Sequence, residues 1–103
     1  MTAMSVSITL DATSMLFITF SSQAWVESGD TMYWRALVDG TQAYPVSSYI
    51  IITQQTDYGG SNSFTFYRSA AAGTHTVKIQ WATYTGSGGH VGERTLTVIA
   101  LPT

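Results

Sequence analysis

Apolar residues alternate with polar ones along most of this chain, and this period of two constrains the fold more than any other feature. In MSVSITL (4–10), aliphatic side chains would occupy one face and serine or threonine the other. The same alternation returns in TMYWRALV (31–38), SFTFYRS (63–69), THTVKIQWATY (74–84) and ERTLTVIAL (93–101). No segment shows the 3.6-residue apolar stripe of an amphipathic helix. The sequence therefore predicts an all-β fold.

Turn signals divide the chain into seven or eight strands, with TQAY (41–44) and SSYIIITQQ (47–55) completing the set. Asp39-Gly40 is the strongest hairpin signal, because both central residues of a type I′ turn need a positive φ. Further reversals are expected at 28–30, 57–62, 70–73 and 86–92. Short strands at this spacing predict one antiparallel β-sandwich domain spanning residues 1–103. A jelly roll fits the strand count slightly better than an immunoglobulin-type sandwich, whose Cys–Trp–Cys pattern is missing.

The segment SMLFITFSS (14–22) is apolar on both of its faces. A strand of this kind is buried on both sides. One side would be the domain core, and the side that carries Met15 and Phe17 would contact another subunit or a ligand. Lys78, the chain's only lysine, would face outward from its own strand and is a further candidate contact.

Charged residues make up only 10% of the chain, where an average domain has about 25%. Either serine and threonine cover the surface, or other subunits cover much of it. The net charge is −2, and the four basic residues are scattered, so we expect no nucleic-acid partner. The apolar runs are too short to span a bilayer, and the N-terminus lacks the basic segment of a signal peptide. Export would need a route other than a standard N-terminal signal.

Residues for catalysis or metal binding are sparse. Cysteine is absent, which excludes disulfides and zinc–thiolate sites. His75 and His90 lack metal-ligand spacing, and no serine lies in a nucleophile elbow. We predict no enzyme activity, no cofactor and no metal, although calcium held by converging loops cannot be read from spacing. His90 is expected to be solvated in a glycine-rich loop, whereas His75, at the rim of an apolar face, would fix the turn at 70–73 through a hydrogen bond.

Three tryptophans and six tyrosines could build a sugar-stacking site, or they could fill a small β core. Trp34 and Trp81 alternate with aliphatic residues and are predicted to be core. Trp25 precedes a turn and is therefore the tryptophan most free to face a ligand or a partner.

The segment AAAGTHTVKIQWATYTGSGGHVGERTLTVIALP (70–102) resembles the closing hairpin of small jelly-roll domains of the broad C1q/TNF-like class, as found in phage decoration, fibre and bacterial surface proteins. The resemblance covers about a third of the chain and carries no catalytic residue. It implies a homotrimer.

Two functions remain open on this basis. The first is a structural protein, a homotrimeric jelly roll that decorates a virion or similar particle or forms a fibre head, with a capsid or other particle protein as partner. The alternative is an extracellular carbohydrate- or receptor-binding module of lectin-like or C1q/TNF-like type.

Overall fold

The computed structural model describes residues 2–26, 31–46, 51–53, 61–83 and 89–103. Its described part contains eight strands: β1 Thr2–Leu10, β2 Ser14–Val26, β3 Met32–Val38, β4 Thr41–Gln42, β5 Ile51–Thr53, β6 Ser61–Ala70, β7 Gly73–Thr83 and β8 Gly89–Pro102. Each corresponds to a strand expected from the sequence. The turn expected at 28–30 and residues 57–60 and 86–88 of two expected loops lie outside the described residues, and the remaining residues of those loops belong to β6 and β8.

The strands form two antiparallel sheets that face each other, so the predicted β-sandwich is confirmed. The five-stranded sheet has the order β1-β7-β3-β4, with β5 also pairing with β3. The three-stranded sheet has the order β6-β2-β8. In the part of the chain that the structure describes, no helix is long and apolar enough to cross a membrane.

The core lies between the sheets and is built from alternate residues of the inner strands, as the period of two predicts. Phe20 of β2 is fully buried at its centre. Its ring meets the edge of the Trp34 ring, with centroids 4.7 Å apart, and stacks on the Trp81 ring at 5.5 Å. Both tryptophans are buried, which confirms their predicted place in the core.

The β3–β4 hairpin turns at Asp39 and Gly40, whose φ values are 50° and 84°. Positive φ at both positions is what the predicted type I′ turn requires. An Asp39 carboxylate oxygen accepts a hydrogen bond from the Thr76 N–H at 2.8 Å, and its other oxygen lies 2.6 Å from Nδ1 of His75. The turn is thereby joined to β7.

His75 connects two turns at this end of the sandwich, which we call the turn end. Its Nε2 lies 2.6 Å from the Ala71 carbonyl oxygen, between β6 and β7, so the ring does fix the turn at 70–73 as predicted. Because both ring nitrogens face acceptors, the doubly protonated ring satisfies both contacts. The hydrogen bonds to Asp39 and then to Ala71 raise the pKa of His75 above its usual 6.5. The bonds from Thr76 and then from His75 lower the pKa of Asp39.

The return strand after the hairpin is shorter than expected. β4 ends at Gln42, and the backbone of Tyr44 then pairs with Tyr67 on the edge of β6. The Tyr44 N–H donates to the Tyr67 carbonyl at 2.8 Å, and the Tyr67 N–H donates back at 2.7 Å. The chain has therefore moved from one sheet to the other before Pro45, a step that no local signal in TQAY indicates.

Candidate functional site: a polar cleft at a β-bulge

A β-bulge interrupts the pairing of β2 with β8. Ser22 is opposite Arg94 and Ala24 is opposite Val91, so Gly92 and Glu93 together face the single residue Gln23. The Arg94 guanidinium donates from Nη1 to the Val91 carbonyl at 3.2 Å and spans the bulge. Bulges bend a strand and redirect its side chains, and they are common beside binding sites.

A cleft of about 390 Å³ opens at this bulge. It is lined by Ser21, Ser22, Gln23, Glu93, Arg94 and Thr95. Three hydroxyl groups, one amide, one carboxylate and one guanidinium therefore surround it. Every lining residue has a polar side chain that can form hydrogen bonds, and the two opposite charges are adjacent in sequence.

The guanidinium of Arg94 is held by an aromatic stack that rises from the core. Its central carbon lies 5.4 Å from the centroid of the Trp81 ring. Trp81 in turn stacks on Phe20 with an angle of 14° between the ring planes. A cation over an aromatic face is attracted by the ring quadrupole, so the stack fixes Arg94 at the cleft.

The hydroxyl of Ser22 is the unusual group of the cleft. Ser22 is only 4% exposed, and its Oγ has no hydrogen-bond partner among the residues that the structure describes. A buried hydroxyl without a partner costs about 1–3 kcal/mol, so such groups are rare and call for an explanation. Ser22 lines the cleft with its hydroxyl just beneath the surface, so a small movement of the wall would let a polar ligand group complete its hydrogen bonding.

The cleft offers hydrogen-bonding groups and one carboxylate. Glu93 is the sole carboxylate among its lining residues, whereas hydrolysis of a glycoside ordinarily needs two carboxyl groups. Elsewhere in the described ranges, no three histidine, aspartate or glutamate side chains lie close enough together to hold a metal ion.

The predicted contact residues do not lie together. Met15 and Phe17 lie on the outer face of the three-stranded sheet, opposite in direction to the core residues of β2. Lys78 lies on the outer face of the five-stranded sheet, where its neighbours across the strands are Leu37 and Ser5. These residues remain candidate contacts, but on two separate surfaces.

Two strands extend further than the sequence predicts near the cleft. β2 continues past Ser22 to Val26, and its Trp25 pairs with His90. The side chain of Trp25 is outside the described part, so its contact with a ligand or a partner stays a prediction. His90 was expected in a loop, yet β8 already begins at Gly89. β8 has an extra residue at the bulge, and beyond it the pairing with β2 continues to Val26 and Gly89.

Sequence reasoning missed Gln23, Glu93 and Arg94. One signal was available, because a glycine beside an alternating stretch can mark a bulge as well as a loop. Gly92 is that residue: a Cβ added there would lie 3.4 Å from Cβ and from Oε1 of Gln23.

Comparison with known proteins supports the fold. No family model matches the chain, and no curated protein matches it. A solved structure, CBM35 from Paenibacillus barcinonensis, superposes with a TM-score of 0.52 and 23% sequence identity, covering 92% of this chain and 69% of that one. This likeness supports a jelly-roll-type β-sandwich and does not point specifically to the C1q/TNF-like class.

Proposed function

We propose that this chain is a non-catalytic carbohydrate-binding domain that holds a saccharide in the cleft at the β-bulge. The observation that carries the proposal is the Ser22 hydroxyl, which is buried in the cleft wall without a partner among the described residues. A ligand rich in hydroxyl groups, which both donate and accept, would supply the hydrogen bond that this group lacks.

The other lining groups suit the same ligand. The Glu93 carboxylate accepts hydrogen bonds, the Arg94 guanidinium donates them, and the Gln23 amide does both. Bonds to charged groups are the stronger ones, so Glu93 and Arg94 would set the orientation of the sugar. A volume near 390 Å³ falls in the range of small-ligand sites, which is about 300–1,000 Å³.

The structural likeness agrees with this proposal. The matched structure is a carbohydrate-binding module, a kind of domain that binds sugars without catalysing a reaction. That likeness favours the sugar-binding alternative over the predicted decoration of a virion, for which it gives no support. The particle partner and the location on a particle surface stay predictions.

The test separates the role of Ser22 in binding from any role in folding. A glycan array would first identify a bound saccharide, and calorimetric titration would then compare Ser22→Ala with Ser14→Ala. Both serines are buried on the same face of β2, but the Ser14 hydroxyl donates to the Ala12 carbonyl at 2.9 Å. Ser22→Ala should weaken binding by about 10-fold and leave stability equal or higher, while Ser14→Ala should lower stability by about 1 kcal/mol and leave binding unchanged.

Two substitutions that each remove one negative charge, one in the cleft and one as a control, supply a second check. Glu93→Gln should lower the affinity for the same saccharide, since a charge-assisted hydrogen bond is replaced by a neutral one. Asp11→Asn removes one negative charge near the turn end and should have no effect on affinity. Absence of any bound saccharide on a broad array, or equal affinities of wild type and both cleft variants, would refute the proposal.

A further inference from the structure

The outer face of the three-stranded sheet carries a row of apolar side chains that crosses four segments of the chain. Tyr44 is opposite Tyr67, Tyr67 is opposite Phe17, and Phe17 is opposite Ile99. The rings of the two tyrosines have centroids 5.6 Å apart. In the adjacent position along the strands, Met15 is opposite Leu101 and extends the apolar surface. We call these six residues the apolar row.

Much of the apolar row is open to solvent. Ile99 is 56% exposed and Leu101 54%, and the two tyrosines are 48% and 45% exposed. Large side chains exposed to this degree, with smaller contributions from Met15 and Phe17, amount to on the order of 400–500 Å². A contiguous patch of this size on a protein surface is commonly an interaction site.

No charge lies on this face around the apolar row. The other outward positions of β2, β6 and β8 there are Thr19, Ser21, Ser63, Thr65, Ser69, Thr95 and Thr97, and the first carboxylate beyond them is Glu93 at the bulge. Several of the hydroxyls bond to each other across the strands: Thr19 lies 2.9 Å from Thr65, and Ser21 lies 3.0 Å from Ser63. A partner with charged groups at the interface would have to desolvate them here without a counter-charge, which is costly. A second copy of this chain brings the same uncharged face.

The area also fits a second copy. A standard interface buries about 800 Å² on each partner, of which about 56–65% is apolar. The apolar part is therefore about 450–520 Å² per partner, which the apolar row nearly supplies. Two twisted sheets pack face to face at about 10 Å with their strands within about 30° of each other, so the apolar row can meet its own copy.

We propose that this protein forms a homodimer in which the apolar rows of two copies pack against each other. The contact is isologous, because the same surface serves both copies, and it closes at two subunits. The stoichiometry differs from the homotrimer that the C1q/TNF-like resemblance implies. The proposal does not depend on sugar binding: the apolar row contains no residue of the cleft, which lies further along the same sheet.

Sedimentation equilibrium of the full chain, at concentrations up to about 1 mM, tests the proposal. We expect the wild type to sediment as a dimer. Ile99→Asp should weaken self-association by at least about 100-fold, because an unpaired carboxylate would be buried in the interface. Ser5→Asp adds the same charge at an exposed position of β1 and should leave the dimer intact.

Far-ultraviolet and near-ultraviolet circular dichroism of both variants shows that they remain folded. Leu101→Asp is a second disrupting variant at the other end of the patch. A monomer at every concentration, a trimer, or a dimer that tolerates both Ile99→Asp and Leu101→Asp would overturn the proposal. Saccharide affinity per subunit should be the same for Ile99→Asp and wild type, so failure of the dimer and failure of sugar binding give different results.

Discussion

Two phenylalanines three residues apart on β2 test the register of the sandwich. Phe20 is fully buried and contacts both core tryptophans, whereas Phe17 lies on the outer face with part of its surface exposed. Replacing each phenylalanine by alanine removes the same phenyl ring, in one variant from the outer side of the strand and in the other from the inner side. The difference between the two losses of stability therefore reports which side is the core.

The expected losses differ several-fold. Phe20→Ala leaves a cavity between the sheets and removes two aromatic contacts, so it should cost about 3–5 kcal/mol. For a domain whose total stability is about 5–15 kcal/mol, that is a large share, and the melting temperature should fall by roughly 15 °C or more. Phe17→Ala removes a half-buried side chain and should cost about 1 kcal/mol.

Urea denaturation followed by tryptophan fluorescence measures both values. The two substitutions should be made in the Leu101→Asp background, which lies opposite Met15 and not opposite Phe17, so that loss of a subunit contact does not enter the comparison. Equal losses, or a larger loss for Phe17→Ala, would refute the register, because a shift of one residue exchanges the two faces of a strand.

Two further predictions concern the turns. The raised pKa of His75 means that the contribution of this residue to stability is complete below the unfolded value of 6.5 and is lost as pH rises through the folded value. The contribution of Asp39 is lost on the acid side, as pH falls below 3.8 through its lowered pKa. His75→Ala should therefore lower the melting temperature in mildly acidic buffer, have a smaller effect in alkaline buffer and leave saccharide binding unchanged; a pH-independent effect on the melting temperature would contradict this reasoning. Gly40→Ala should lower the free energy of unfolding in urea by about 1 kcal/mol, because alanine is strained at the φ of 84°. Gly92→Ala should be nearly neutral, since the added Cβ would meet Gln23 at an ordinary 3.4 Å. Equal losses for the two variants would argue against the type I′ turn.

The sequence predicted the parts of this fold that depend on near neighbours. Alternation placed Trp34 and Trp81 in the core, because a strand's period of two is visible in any short segment. Asp39-Gly40 located the hairpin, because its backbone requirement belongs to two residues. The two apolar sides of β2 were likewise readable, and the structure places Phe17 on the outer one.

The cleft could not be predicted in the same way. It depends on Gln23 meeting Gly92 and Glu93, some 70 positions later in the chain, and on a pairing register that a bulge shifts by one residue. Tyr44 joins the apolar row only because the chain crosses between sheets after β4. Long-range register of this kind is set by packing of the whole sandwich, and no short pattern encodes it.

The ends of β8 lie at opposite ends of the sandwich, and this determines how the protein should be attached to a surface. The backbone N–H of Thr103 donates to the Thr13 carbonyl at 3.1 Å, which holds Thr103 at the turn end. From Ser14, opposite Pro102, to Ser22, opposite Arg94, β2 advances about 26 Å at about 3.3 Å per residue. A protein coupled to a sensor chip or bead through Thr103 would therefore present its cleft toward the solution. The apolar row would lie close to the support.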